Sequence, residues 1–558
     1  MLAKGFVFKT LVIGISAMVL SWGAAPAPYR SKNGIVVTSH PLASKIGQDV
    51  LNAGGNAIDA AVAVGYALAV VHPAAGNIGG GGFAIIHLKN GKNLALDFRE
   101  TAPLAATRDM YLDAKGNVIK DASVFGYLAA GVPGTVAGMS AMLEKYGTKK
   151  LADLLAPSIK LAQNGYRVSY RQEQTFAKMK EQLQKFASTR KYFFKPDGST
   201  YKAGDLLVQK DLANTLRLIA KDGPDAFYKG PIADKIAEDM KKNKGIMTKK
   251  DLASYKVTWR EPVRGTYRGY EIISMSPPSS GGVHLIQMLN VLENANIKQM
   301  GFGSSDTIHL MAEAMRQAYA DRSEYLGDPD FIKVPVKKLI DKAYAKSIYS
   351  KITPNATPST KLKPGLGSYE SNQTTHYSVV DKMGNAVSVT YTINGSYGSG
   401  AAVNHAGFLL NNEMDDFSIK PGVANLYGLV GGDANAIAPK KRPLSSMTPT
   451  IVLKDNKPFM VVGSPGGARI ITTVLQVIVN VIDHDMNISE AILAPRFHNQ
   501  WLPDEIRLEK YAVPKDVADA LEKKGHKLSI KAPMGDVNGI VVLPNGEARG
   551  MSDPRREF

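Results

Sequence analysis

At Thr374 the chain changes character within a single residue. Before it, Thr353 to Gln373 holds three prolines and two glycines among Ser, Thr and Asn, a composition with almost nothing to bury that predicts an exposed, mobile connector. After it come two strand-like runs, Thr374–Val380 and Ala386–Thr392, joined by Asp381-Lys382-Met383-Gly384-Asn385, the pattern of a hairpin. If Val380 pairs with Ala386, antiparallel register sets Thr374 opposite Thr392 and brings two hydroxyls together across the ladder. A threonine hydroxyl is a poor nucleophile without a base beside it. A free α-amine on the same residue, with a pKa of about 7.7 to 8.0, is well matched to that task. Such an amine requires a cut between Gln373 and Thr374. Taken alone, an ordinary loop entering an ordinary strand is the simpler reading of these residues.

Charge breaks at the same place. The net charge of +18 raises the question of nucleic acid or anionic membrane partners, but from Thr374 onward basic and acidic residues balance at 19 each, so the excess lies upstream. There the bases sit in helix-like stretches such as Lys178 to Lys191 and Lys235 to Lys250, interspersed with acids and without a stacking pattern of aromatics. Solvated helical faces are expected, and no nucleic acid partner. Cysteine is absent, which removes disulfides, thiolate metal sites and cysteine nucleophiles together. At the N-terminus, Lys4 and Lys9 precede the apolar run Thr10–Trp22 and the small residues Gly23–Ala27, a secretory signal pattern. Thirteen residues fall short of the roughly 20 that span a bilayer. The expectation is a signal peptide over 1–27, a protein exported to the periplasm or medium, and no stable membrane span.

Upstream, Ala43–Asn52 reads as a helix closed by Gly54-Gly55, and Asn56 as the cap of an apolar, buried helix over Ala57–Val71. Gly79–Gly82 invites a phosphate-loop reading. That loop needs a strand before it, a helix after it and a Lys-Ser/Thr pair; here strands follow, over Phe83–Leu88 and Leu94–Phe98. Close backbone packing, or a main-chain approach to a ligand, is expected instead. Gly138 to about Ser350 is mostly helix-patterned, with a strand-rich interruption over Val257–Met275 and the loop Ser276–Gly282.

Several motifs occur together along the chain: Gly54-Gly55-Asn56-Ala57-Ile58-Asp59-Ala60, Asp97-Phe98-Arg99-Glu100, Thr374-Thr375-His376-Tyr377-Ser378-Val379-Val380-Asp381, Asn411 to Phe417, Arg442-Pro443-Leu444-Ser445-Ser446-Met447 and Gly463-Ser464-Pro465-Gly466-Gly467. In this order they closely resemble γ-glutamyltranspeptidase, from about Asn33 to near the C-terminus. The resemblance implies an α+β N-terminal-nucleophile hydrolase fold, a four-layer αββα sandwich. The precursor cuts itself before Thr374 into a large subunit, 28–373, and a small subunit, 374–558, forming one intertwined domain. The implied activity is γ-glutamyl transfer and glutathione hydrolysis through a γ-glutamyl-enzyme ester, passed on to water or to amino-acid and peptide acceptors.

The same resemblance assigns roles. Thr374 matches the catalytic threonine, Thr392 the residue that hydrogen-bonds it, and Gly466 and Gly467 the oxyanion hole, at the start of an apparent helix from Ala468 to about Ile482. Backbone N–H groups at such a start face a developing negative oxygen. Arg99, Ser445 and Ser446 match the contacts to the substrate α-carboxylate, and Asn394, Glu413 and Asp416 those to its α-ammonium. The family varies between Gln and Glu at the position of Glu413. Pro421 to Lys441, with Tyr427, resembles the lid over the pocket; by itself it reads as a plain long loop. His376, two positions along the strand from Thr374, faces the same side, but the family gives it no role. Ser464 lacks the G-x-S-x-G elbow of a serine hydrolase. The ten histidines form no H-E-x-x-H pair, so no catalytic zinc site is expected, and the resemblance implies no cofactor or metal. The rival readings are a β-lactam (cephalosporin) acylase of the same fold and an exported solute-binding protein without turnover. The first is disfavoured because a glutaryl side chain lacks the ammonium that Asp416 suits.

Overall fold

A computed structural model describes residues 25–362, 374–420 and 432–556. Gln373, Tyr427 and nearly all of the expected signal peptide lie outside the described residues. Strand alternation builds the layers. In the strand Gly34–Thr38, Val36 faces one apolar core while Ile35 and Val37 face another; in Gly81–His87, Ala84 and Ile86 are likewise split from Phe83 and Ile85. A sheet apolar on both faces must be covered on both.

That sheet has six strands in the order Gly34–Thr38, Thr374–Asp381, Ala386–Thr392, Gly81–His87, Asn93–Phe98 and Thr258–Arg260. One face packs on the helices Pro41–Asn52 and Ala57–Val71. The other meets a seven-stranded sheet, Tyr29–Ser31, Ala548–Ser552, Asn538–Val542, Lys457–Val462, Thr450–Lys454, Tyr270–Ser274 and Val263–Tyr267 in spatial order. The helices Gly281–Leu292, Ser305–Tyr325 and Arg469–Ile482 complete that second core. The result is the four-layer αββα sandwich, and none of the described helices is long and apolar enough to cross a membrane.

Local expectations hold closely. Asn56 forms a full capping box with Asp59 ahead of Ala57–Val71, and the hairpin pairs Val380 with Ala386 and Thr374 with Thr392. The run Gly79–Gly82 is a packing device. A Cβ at Gly80 would sit 2.0 Å from the Thr392 carbonyl oxygen, and one at Gly79 2.1 Å from that of Leu409, so only glycine lets this strand reach the end of the hairpin.

One expectation needs correcting. The described part of the connector, 353–362, is anchored rather than free. Ser359 is buried, donating its hydroxyl to the Trp501 carbonyl at 2.6 Å and accepting from Trp501 Nε1 at 3.0 Å through its own carbonyl. Its amide donates to Asp504 at 2.8 Å, and the Ala356 amide to the Lys524 carbonyl at 2.7 Å. A polar segment with little to bury is fixed here by its backbone hydrogen bonds, which composition does not register.

Candidate active site

The hairpin end carries two hydroxyls into one small cavity. Thr374 Oγ1 donates to Thr392 Oγ1 at 3.4 Å, and Thr392 Oγ1 also accepts the Asn394 amide at 2.8 Å. Asn394 takes a left-handed backbone (φ 67°) just past the strand, with its Nδ2 donating to the Asn412 carbonyl at 3.0 Å. The cavity is lined by Arg99, Thr374, Thr392, Asn394, Glu413, Asp416, Ser445, Met447, Gly467 and Ile470.

Opposite the threonines lies a buried guanidinium. Arg99 sits at the end of the strand Asn93–Phe98 and is 1% exposed. It pairs through Nη1 with Glu413 and through Nη2 with Asp416 at 2.5 Å, while Glu100 lies 3.8 Å from Nη1. Nε and Nη2 also donate to the Pro443 and Leu444 carbonyls, at 3.3 and 3.2 Å. Three carboxyl groups thus surround one cation in a desolvated place. Burial works against the charge on Arg99, but Glu413, Asp416 and Glu100 hold it firmly protonated. Burial pushes Glu413 well above the usual carboxylate range and Glu100 up to about 7, in each case against the pull of Arg99.

The Ser445–Ser446 turn is held from behind. The Ser445 carbonyl accepts the Ser280 amide at 2.7 Å and its hydroxyl at 2.8 Å, and the Ser445 amide donates to the Pro278 carbonyl at 3.0 Å. Ser445 Oγ accepts from the Met447 amide at 3.1 Å, whereas the buried Ser446 Oγ has no hydrogen-bond partner. Across the cavity, Gly466 (φ 140°) and Gly467 (φ 61°) turn the chain into the helix Arg469–Ile482. Gly467 lines the cavity; Gly466 and Ser446 are not among its lining residues.

His376 stands apart from this chemistry. It is fully buried between Thr390 Oγ1 at 2.8 Å and Ser378 Oγ at 3.0 Å, and burial pulls its pKa down to about 3. It belongs to a satisfied polar layer between the sheets, where Asn538 Nδ2 donates to the His376 carbonyl at 2.9 Å and Ser378 Oγ to the Asn538 carbonyl at 2.8 Å.

Sequence reasoning left out several residues that shape this place. Glu100 and Asp97 flank Arg99 in a motif already singled out. Asp97 accepts the Arg99 amide at 3.0 Å and pairs with Arg260 at 2.8 Å and Arg442 at 3.3 Å. The prop formed by Ser280, and the apolar walls Met447 and Ile470, come from long-range packing and leave no local signal beyond small residues in a loop and one turn of helix.

The chain is similar to known proteins over nearly its whole length. The sequence profile of the family described as gamma-glutamyltranspeptidase matches residues 43–558. A glutathione hydrolase proenzyme of Escherichia coli (strain K12) is 56% identical over 530 residues, 95% of this chain and 91% of its own. The crystal structure of Helicobacter pylori gamma-glutamyltranspeptidase has 64% identity and a TM-score of 0.60, over 60% of this chain and 97% of the solved one. That of a cephalosporin acylase from Bacillus halodurans superposes with a TM-score of 0.84 at 29% identity, over 97% of this chain and 98% of its own. With a match over nearly its whole length and five of the six motifs contributing to one cavity, the chain belongs to the γ-glutamyltranspeptidase family.

Proposed function

We propose the following division of labour for the γ-glutamyl transfer and glutathione hydrolysis that this enzyme carries out. Thr374, freed as an N-terminus by a cut after Gln373, is the nucleophile, and its α-amine takes the hydroxyl proton as Oγ1 attacks the γ-carbonyl of the substrate. The developing oxyanion is met by the backbone N–H groups of Gly466 and Gly467. The C–N bond of the γ-amide breaks, the α-amine passes the proton to the leaving amine, and a γ-glutamyl ester remains on Thr374. Water or the amine of an amino acid or peptide then attacks that ester and regenerates the threonine. Thr392 orients the nucleophile through the 3.4 Å hydroxyl contact.

One observation carries the substrate assignment: a buried guanidinium and two buried carboxylates share a cavity with Thr374. A γ-glutamyl group ends in a zwitterion. Its α-carboxylate takes the fork of Arg99 with the hydroxyls of Ser445 and Ser446, and its α-ammonium takes Glu413, Asp416 and Asn394. The ion pairs that Arg99 makes with Glu413 and Asp416 are exchanged for these, so that no charge is left buried without a partner. A glutaryl group offers nothing to Asp416, which favours γ-glutamyl compounds over the acylase substrate.

The cut yields a large subunit of 28–373 and a small one of 374–558. Tyr427, in the segment 421–441 that resembles the family's lid, slows hydrolysis of the ester. Export rests on the signal pattern of residues 1–27. Purified enzyme given glutathione, with and without an added dipeptide, tests the reading. Glutamate release alone and γ-glutamyl dipeptide in the presence of acceptor support it, and turnover that persists in Thr374→Ala contradicts it.

A further inference from the structure

Away from the cavity of Thr374, the long helix Ser305–Tyr325 presents His309 and Glu313 one turn apart, and the loop after the helix Lys515–Lys523 brings His526 against them. All three are buried, at 4 to 5% exposure. One ligand atom from each lies within 4.8 Å of the others.

The hydrogen bonds fix which atoms point where. His309 Nε2 donates to the Thr353 carbonyl at 2.8 Å, which leaves the lone pair of the ring on Nδ1. That nitrogen faces His526 Nε2 at 2.7 Å. An imidazole whose far nitrogen donates to a backbone carbonyl while the near one carries a lone pair is oriented as metal-binding histidines are. Glu313 is braced in the same manner, by Arg316 and by the Thr357 amide at 3.2 Å, and Arg316 is itself offset by Asp504 at 3.1 Å. His526 is the adjustable member. It follows Gly525 (φ 92°), and its Nδ1 has no hydrogen-bond partner.

We propose that His309 Nδ1, His526 Nε2 and a Glu313 carboxylate oxygen form a structural site for a divalent transition metal of the zinc class. Two neutral imidazoles and one carboxylate are donors that suit Zn²⁺. Zinc–nitrogen bonds of about 2.0–2.1 Å place two ligand nitrogens about 3.3 Å apart, so the rings part by roughly half an ångström from 2.7 Å.

The ligands also hold the segment that leads toward Thr374. Thr353 is bonded to His309 and Thr357 to Glu313, so an ion here ties that strap, the long helix and the 526 loop into one unit. It takes no part in the chemistry at Thr374.

Chelator-stripped, full-length processed enzyme titrated with Zn²⁺ tests this. The expected result is one equivalent retained through gel filtration, a raised melting temperature, and a tetrahedral visible spectrum when Co²⁺ replaces zinc. His526→Ala is expected to weaken zinc binding by at least ~10-fold while hydrolysing glutathione at the parental rate. Wild-type protein that retains no zinc overturns the assignment, as does folded His526→Ala that binds zinc as tightly as its parent.

Discussion

Arg99 is the residue on which recognition turns, since its planar fork can engage both oxygens of an α-carboxylate while also donating to the Pro443 and Leu444 carbonyls. A lysine offers one point charge in its place. Arg99→Lys is therefore expected to raise KM for a γ-glutamyl anilide by 10-fold or more, on the order of 1.4 kcal/mol or above, while cleavage before Thr374 proceeds. An unchanged KM in a normally processed variant would remove Arg99 from the site. Glu100 adds a pH effect. Burial raises its pKa above the unfolded value of 4.5 to about 7, so the folded protein holds the proton more tightly and stability falls as pH rises between those values. Glu100→Gln is expected to flatten that part of the stability profile, measured by thermal unfolding from pH 4.5 to 7.5. A profile that keeps its slope would show that Glu100 is not its source. At this scale the charged residues were legible through their motifs, as Arg99, Glu413 and Asp416 show. That the two acids would lie on the arginine was not, because 314 residues separate Arg99 from Glu413 and only packing joins them.

The hairpin and the glycine run form one device for placing two hydroxyls. Register fixes Thr374 opposite Thr392, and Gly80 lets the neighbouring strand close on the Thr392 carbonyl. A methyl group there meets backbone that cannot move aside, so Gly80→Ala is expected to cost at least the ~1–3 kcal/mol typical of overpacking and to lower kcat by displacing Thr392. Unfolding curves and kcat for glutathione hydrolysis check both parts; an equally stable and active variant would mean that the strand yields. Register arithmetic made the hairpin readable from sequence alone. The glycines announced close packing without naming the partner, and the 353–362 strap was misread because its anchors, Trp501, Asp504 and Lys524, lie far along the chain.

Across the whole molecule, residues before and after position 374 interleave in both sheets. Thr374–Asp381 pairs with Gly34–Thr38, and Ala386–Thr392 with Gly81–His87. In the second sheet Tyr29–Ser31 pairs with Ala548–Ser552, and Tyr270–Ser274 with Thr450–Lys454. A cut before Thr374 thus leaves two chains that share both sheets and the helical layer on the second sheet, and they are expected to co-migrate on native gel filtration and separate only on denaturation. The most direct check of the nucleophile is a denaturing gel of purified protein with N-terminal sequencing of the smaller band. From the 60.0 kDa chain, fragments of about 37 and about 20 kDa are expected, estimates from average residue mass for pieces of domain size. The smaller begins Thr-Thr-His-Tyr, and Thr374→Ala remains one band. A wild-type enzyme that hydrolyses glutathione as a single uncut chain, or a small fragment that begins at another residue, would contradict Thr374 as the N-terminal nucleophile.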